Sequence, residues 1–258
     1  MTDAESLFSE TFARWIKASA TVSNFRSTFA AVASNAKEHL ELSATELFRK
    51  LHEDPQWIGI LTNIKTGQPA SAKPVSEYEE LGRIGAQVIF DSTYASLDAA
   101  VLVFYHSLLD ATAFDYCRAS ALHAPEDWEQ ELKHTKIDLH DTQDKSYEQL
   151  LRVKLDERLE KLERESLLSK MDRLFMRCAP PSGWSPMMGY VFNREMIKQF
   201  DDQRHEIVHG KALGKPLTHY PVSDDSIAYV EKTGMYLMGL VNFKYGLRVD
   251  PQHFSKTT

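Results

Sequence analysis

The spacing of apolar residues is the feature that most constrains how this chain folds. Apolar side chains recur every three or four positions over long segments, which is the helical period, and no alternating strand pattern exceeds a few residues. Glycine and proline are sparse and cluster between these segments. The sequence therefore predicts an all-α protein, with helices over residues 4–20, 25–40, 43–53, 77–120, 146–177, 190–209 and 224–245.

The domain organisation follows from one polar stretch. Residues 62–76, TNIKTGQPASAKPVS, have the composition of a linker. We therefore expect an N-terminal helical extension over 1–75 and a helical domain over 76–258, packed together as one unit. Residues 97–117 are apolar on nearly all sides and predict a central core helix. The charged segment 146–177 favours a helix of a bundle over a coiled-coil arm.

Charge and cysteine content narrow the classes of function. A net charge of −7 argues against a protein that coats nucleic acid non-specifically, because such binding needs many contacts from Lys and Arg to phosphates. The same net charge is compatible with an enzyme that binds one or two phosphates in a local pocket. Two cysteines cannot build a disulfide framework, and the most apolar run, residues 99–105, falls far short of the roughly 20 residues that span a bilayer. We expect a cytoplasmic protein that does not enter membranes.

The segment 201–210, DDQRHEIVHG, carries two overlapping chemical motifs. One is His205-Glu206-x-x-His209, the H-E-x-x-H pattern in which two imidazoles on one helical face bind zinc and the glutamate acts as general base. A third ligand would be needed, and Glu231 and His219 are the candidates downstream. Charged neighbours and a glycine directly after the second histidine are atypical of zinc proteases. A zinc hydrolase stays open as the second alternative.

The other motif is Arg204-x4-His209, which is short enough to occur by chance. The same spacing appears at residues 118–123 and 248–253. The first of these runs off a helix end towards a proline, and the second contains a proline near the C-terminus. Only Arg204-x4-His209 lies within a predicted amphipathic helix that ends in His-Gly.

Residues 204–210, RHEIVHG, resemble the signature of the HEPN superfamily, whose all-α ribonuclease and nucleotide-binding domains carry an Arg-x4–6-His motif. The polar residue after the arginine, often Asn in the family, is His205 here. The predicted helices 97–117 and 224–245 resemble the antiparallel helical core of the family, whereas residues 1–75 and the helix 146–177 would be an extension and an insertion.

The resemblance implies a metal-independent endoribonuclease without a cofactor, in which Arg204, His205 and His209 form the active site. An imidazole is matched to proton transfer near pH 7, and a guanidinium binds phosphate oxygens in a fork. At about 100° per residue, Arg204 and His209 point some 140° apart on one helix. The family joins two such helices in a homodimer with a composite cleft, and the resemblance implies the same here.

Two further points stay open at this stage. Many active family members are toxins or antiviral effectors, which implies an antitoxin or a defence partner, but HEPN-like domains that only bind or assemble also exist.

His106 and Asp110 lie one turn apart on the predicted core helix. They could join the site or could be polar groups satisfied within the core.

Overall fold

In the computed structural model the described part of the chain, residues 1–53, 75–133, 145–179, 185, 189–209 and 224–255, is mostly helical. No strand occurs in those ranges, which confirms the all-α class. The elements are α1 (Asp3–Glu53), α2 (Val75–His123), a 3₁₀ helix (Pro125–Leu132), α3 (Tyr147–Glu163), α4 (Leu167–Cys178), α5 (Arg194–Val208), α6 (Asp224–Tyr245) and α7 (Gln252–Ser255).

The N-terminal segment is one helix rather than the three that were predicted. Helix α1 runs without interruption through both predicted breaks, because no glycine or proline stands there. Thr21 donates its hydroxyl to the carbonyl of Lys17 at 2.8 Å, so the side chain bonds within the helix instead of capping a new one. Most of the predicted linker, residues 62–74, lies outside the described residues.

The predicted helix 146–177 is instead two helices. Helix α3 begins at a capping box, in which Ser146 accepts from the backbone of Gln149 and the Gln149 side chain accepts from the backbone of Ser146. Ser166 caps α4 in the same way by accepting from the backbone N–H of Ser169 at 3.3 Å. Residue 166 therefore begins a second helix where the apolar spacing alone predicted continuation.

The chain forms two compact units, and α1 and α2 contribute to both. The first unit comprises residues 1–21, 100–211 and 222–258, and the second comprises 22–99 and 212–221. In the second unit an ion pair joins Arg26 to Asp98, and the ammonium of Lys37 lies 5.9 Å from the centre of the Phe90 ring. These pairs run in opposite chain directions, so α1 and α2 are antiparallel there. The division into 1–75 and 76–258 stays a prediction.

The core of the first unit is built around α2. Large side chains of this helix, Leu102, Tyr105, Leu109 and Tyr116, are almost fully buried. One described segment, Gly82–His123, is long and apolar enough to cross a membrane by length and composition alone. A single helix of this kind is weak evidence, because the core helix of a soluble protein passes the same test.

The close approach of α6 to α1 generates a stability prediction. A β-carbon at Gly234 would overlap the ring of Trp15, which is 1% exposed. We expect Gly234→Ala to lower the free energy of unfolding by about 1–3 kcal/mol, the usual cost of overpacking a core. Urea denaturation measures the change.

The control is Gly85→Ala in α2, where nothing lies within 4 Å of the added carbon. There the higher helix propensity of alanine is expected to stabilise by up to about 1 kcal/mol. Equal effects of the two substitutions would show that the Gly234–Trp15 packing is wrong.

Candidate functional site

The Arg-x4-His motif lies on α5, whose two ends are fixed by local interactions. Asn193 caps the start, accepting from the backbone N–H groups of Glu195 and Met196 at 3.0 and 3.3 Å. Ile197 and Phe200 are the buried residues that hold the helix against the core. At the other end the backbone N–H of His209 donates to the carbonyl of His205 at 3.0 Å. Residue 210, the predicted helix stop, lies outside the described residues.

The two histidines of the motif lie side by side on the exposed surface of α5. The ring centres of His205 and His209 are 4.2 Å apart, with an angle of 46° between the ring planes. Both residues are exposed. The spacing of four residues places them one turn apart on the same face. The end of α5 therefore presents two adjacent imidazoles to solvent.

Arg204 differs from these histidines because it is half-buried. Its Nε is enclosed by the protein and has no hydrogen-bond partner among the described residues. Asp201, its acidic neighbour one turn earlier, is bound elsewhere, since its Oδ1 lies 2.6 Å from Nε2 of His106. Within the described part of the chain, Arg204 forms no ion pair. Its positive charge is therefore left without a partnering carboxylate.

His106 connects α2 to the motif helix. The residue is 7% exposed, and its ring centre lies 5.9 Å from that of Phe200. An ionised carboxylate has no proton to give, so Nε2 of the imidazole is the donor in its bond to Asp201. Burial lowers the pKa of His106 below its usual 6.5, and this outweighs the opposite effects of Asp201 and Asp110. The nearby Arg204 acts in the same direction as burial.

Asp110 is engaged by another helix. The ammonium of Lys170, on α4, donates to both carboxylate oxygens of Asp110 at 2.7 Å. Lys170 is 1% exposed, so this pair compensates a charge that would be costly to bury alone. Of the two residues left open by the sequence, His106 therefore contacts the motif helix directly. Asp110 acts on His106 only through its charge.

The zinc alternative has two adjacent imidazoles but no third ligand in the described part of the chain. No group of three His, Cys, Asp or Glu side chains suited to a metal ion occurs among the described residues. Glu231 accepts a hydrogen bond from the hydroxyl of Tyr105. The other candidate, His219, lies outside the described residues.

Sequence reasoning considered Asp201 only as a possible partner of Arg204, whereas the structure pairs it with His106, and it missed Lys170. Asp201 had a weak signal, since it precedes Arg204 by three residues and shares its side of the helix. Lys170 had a clearer one, because it interrupts the apolar stripe formed by Leu167, Met171 and Leu174 on α4. A charged residue within such a stripe requires a buried partner. The carboxylate that pairs with Lys170 cannot be read from the sequence, because it depends on how α2 and α4 pack.

The buried His106 predicts how stability changes with pH. Because its pKa is lower in the folded protein than its usual 6.5, the unfolded chain binds the proton more readily. The contribution of neutral His106 to stability is therefore complete above about pH 6.5 and is lost as the pH falls below it. We expect the stability difference between wild type and His106→Gln to shrink between about pH 7 and pH 5. Urea denaturation across this range measures it, and a difference that grows at low pH would contradict the assignment.

Comparison of the chain with models of protein families, with curated proteins and with solved structures finds no match. The resemblance to the HEPN superfamily thus depends on the motif and its predicted helical surroundings. Function has to be argued from the geometry at the end of α5.

Proposed function

We propose that this protein is a metal-independent endoribonuclease that cleaves RNA through attack by the 2′-hydroxyl. The observation that carries the proposal is that Arg204 has no carboxylate partner in the described part of the chain, while Asp201 is bound to His106. A half-buried cation without a counterion is suited to bind the phosphate of a substrate. Two accessible imidazoles, His205 and His209, lie at the end of the same helix.

The chemistry needs a proton acceptor, a proton donor and a cation. In the proposed reaction His209 takes the proton of the 2′-hydroxyl while the 2′-oxygen of the ribose forms a bond to phosphorus. The bond from phosphorus to the 5′-oxygen breaks, and that oxygen receives a proton, leaving a 2′,3′-cyclic phosphate and a 5′-hydroxyl. Arg204 stabilises the charge on the non-bridging oxygens. His205, in contact with His209, orients it or carries the second proton.

A homodimer would bring these groups into one cleft. Arg204 is half-buried and His209 is exposed at the end of the helix, about 140° apart around its axis. Two copies of α5 meeting about a two-fold axis would offer both arginines and both histidines to one RNA strand. By analogy with the family, the cell would need a partner such as an antitoxin to restrain the enzyme, and its place would be the cytoplasm.

Two other functions give different outcomes in the same assays. A HEPN-like module that only binds or assembles would cleave no RNA. A zinc hydrolase would use His205 and His209 as ligands and Glu206 as base, and would lose activity with a chelator.

The catalytic prediction concerns Arg204 and His209. We expect His209→Ala to slow RNA cleavage by about 10²–10⁴-fold, the usual contribution of a general acid or base. Arg204→Ala is expected to abolish cleavage in a gel assay, and Arg204→Lys to remain badly impaired because lysine keeps the charge but loses the fork. Glu206→Gln and added chelator are expected to leave the rate nearly unchanged.

The matched control is Arg194→Ala at the start of the same helix, where the arginine is exposed and pairs with Asp172 at 2.6 Å. It removes the same charge and is expected to keep full activity. Equal cleavage by wild type and His209→Ala would refute the ribonuclease assignment. Loss of activity in Glu206→Gln and with chelator would favour the zinc hydrolase.

The composite cleft predicts complementation between inactive subunits. When Arg204→Ala and His209→Ala chains are unfolded together and refolded, about half of the dimers formed at random are hybrids. Each hybrid keeps one Arg204 and one His209 in the shared cleft, so the mixture is expected to regain part of the cleavage activity. Light scattering should give twice the chain mass of 29.5 kDa. A monomer with intact activity, or a mixture that stays inactive, would contradict the dimer.

A further inference from the structure

Building on the proposed function, we infer that His106 is a positioning residue for the phosphate site. By binding the carboxylate of Asp201, it keeps the guanidinium of Arg204 available for a phosphate group of RNA. The inference extends the site from the motif helix α5 to the central helix α2.

The first step of the argument is the relation of Asp201 to Arg204 along α5. Side chains three residues apart on a helix are neighbours, and an aspartate before an arginine at this spacing is a natural ion pair. That pair is absent here, although Arg204 has no other carboxylate in the described part of the chain. Asp201 lies 2.6 Å from His106 instead.

The second step is that His106 has a fixed position from which to hold the aspartate. It is buried on α2, and its ring contacts Phe200 of α5. The charged groups near it are Asp201 and Arg204 from α5 and Asp110 from its own helix. Asp110 is itself bound through both oxygens to Lys170 from α4. Its carboxylate is therefore satisfied, and the described hydrogen bond of His106 goes to Asp201.

The third step is the consequence of losing His106. A half-buried carboxylate without its donor would be costly. The half-buried guanidinium of Arg204, one turn further along α5, is a cation with which it could pair. An ion pair between Asp201 and Arg204 would compete with phosphate for the same guanidinium. Loss of His106 is therefore expected to weaken substrate binding through Arg204, although His106 need not touch RNA.

A double-mutant experiment separates this role from simple support of the fold. The probe is a fluorescent single-stranded RNA with 2′-O-methyl groups, which lacks the attacking hydroxyl and stays intact, and its Kd is measured by anisotropy. We expect His106→Leu to raise the Kd by about tenfold, a typical coupling between charged side chains in contact. The KM for unmodified RNA is expected to rise more than kcat falls.

The decisive variant adds Asp201→Asn to His106→Leu. A neutral amide cannot form the competing ion pair, so the double variant is expected to bind the RNA within about threefold of wild type. His106→Gln, whose amide can still donate to Asp201, is expected to stay close to wild type. His106→Ala replaces His106→Leu, alone and with Asp201→Asn, if the leucine variant does not fold by circular dichroism.

Each outcome distinguishes the inference from the proposed function. Equal weakening in the single and double variants would show that His106 only supports the fold, and unchanged binding in His106→Leu would also overturn the inference. If Arg204→Ala weakens binding while His106→Leu does not, the proposed function survives without this positioning role. If Arg204→Ala binds the RNA as wild type does, the phosphate site itself is wrong.

Discussion

The hydrogen bond between His106 and Asp201 is the interaction on which the candidate site depends. It joins the central helix α2 to the motif helix α5 with 2.6 Å between donor and acceptor, and the imidazole is almost fully buried. With that carboxylate bound to His106, the half-buried Arg204 forms no ion pair within the described part of the chain. The same bond adds a polar contact to the apolar packing of Ile197 and Phe200, which holds α5 against the core.

The charged group next to His106 on its own helix, Asp110, is also paired. Lys170 is nearly inaccessible and is bound through both oxygens of Asp110, which leaves His106 to bind Asp201. Removing one member of such a buried ion pair typically lowers the free energy of unfolding by about 3–5 kcal/mol. The Lys170–Asp110 pair therefore joins α4 firmly to α2. If Arg204 binds phosphate as we propose, little around it has to rearrange, because Asp201 and Asp110 are already bound to other side chains.

The sequence predicted the helical class, the bounds of α6 and the end of α5, because these follow from apolar spacing and local capping. It did not predict that α1 is continuous, since polar residues such as Thr21 bond within the helix as readily as they cap one. The start of α4 directly after its capping residue Ser166 was missed, because the apolar stripe continues across it. The motif residues Arg204, His205 and His209 were identified from sequence, but the pairing of His106 with Asp201 joins residues 95 positions apart and depends on packing.

Nuclear magnetic resonance of the arginine Nε–H groups tests whether Arg204 binds the RNA phosphate, because Nε of Arg204 has no hydrogen-bond partner among the described residues. The signal of Arg204, assigned by its loss in Arg204→Lys, would be followed while the uncleavable 2′-O-methyl RNA is added. We expect a saturable shift of this signal, while the signal of Arg194, which is paired with Asp172, stays in place. An Arg204 signal that does not move while the RNA binds would contradict the account.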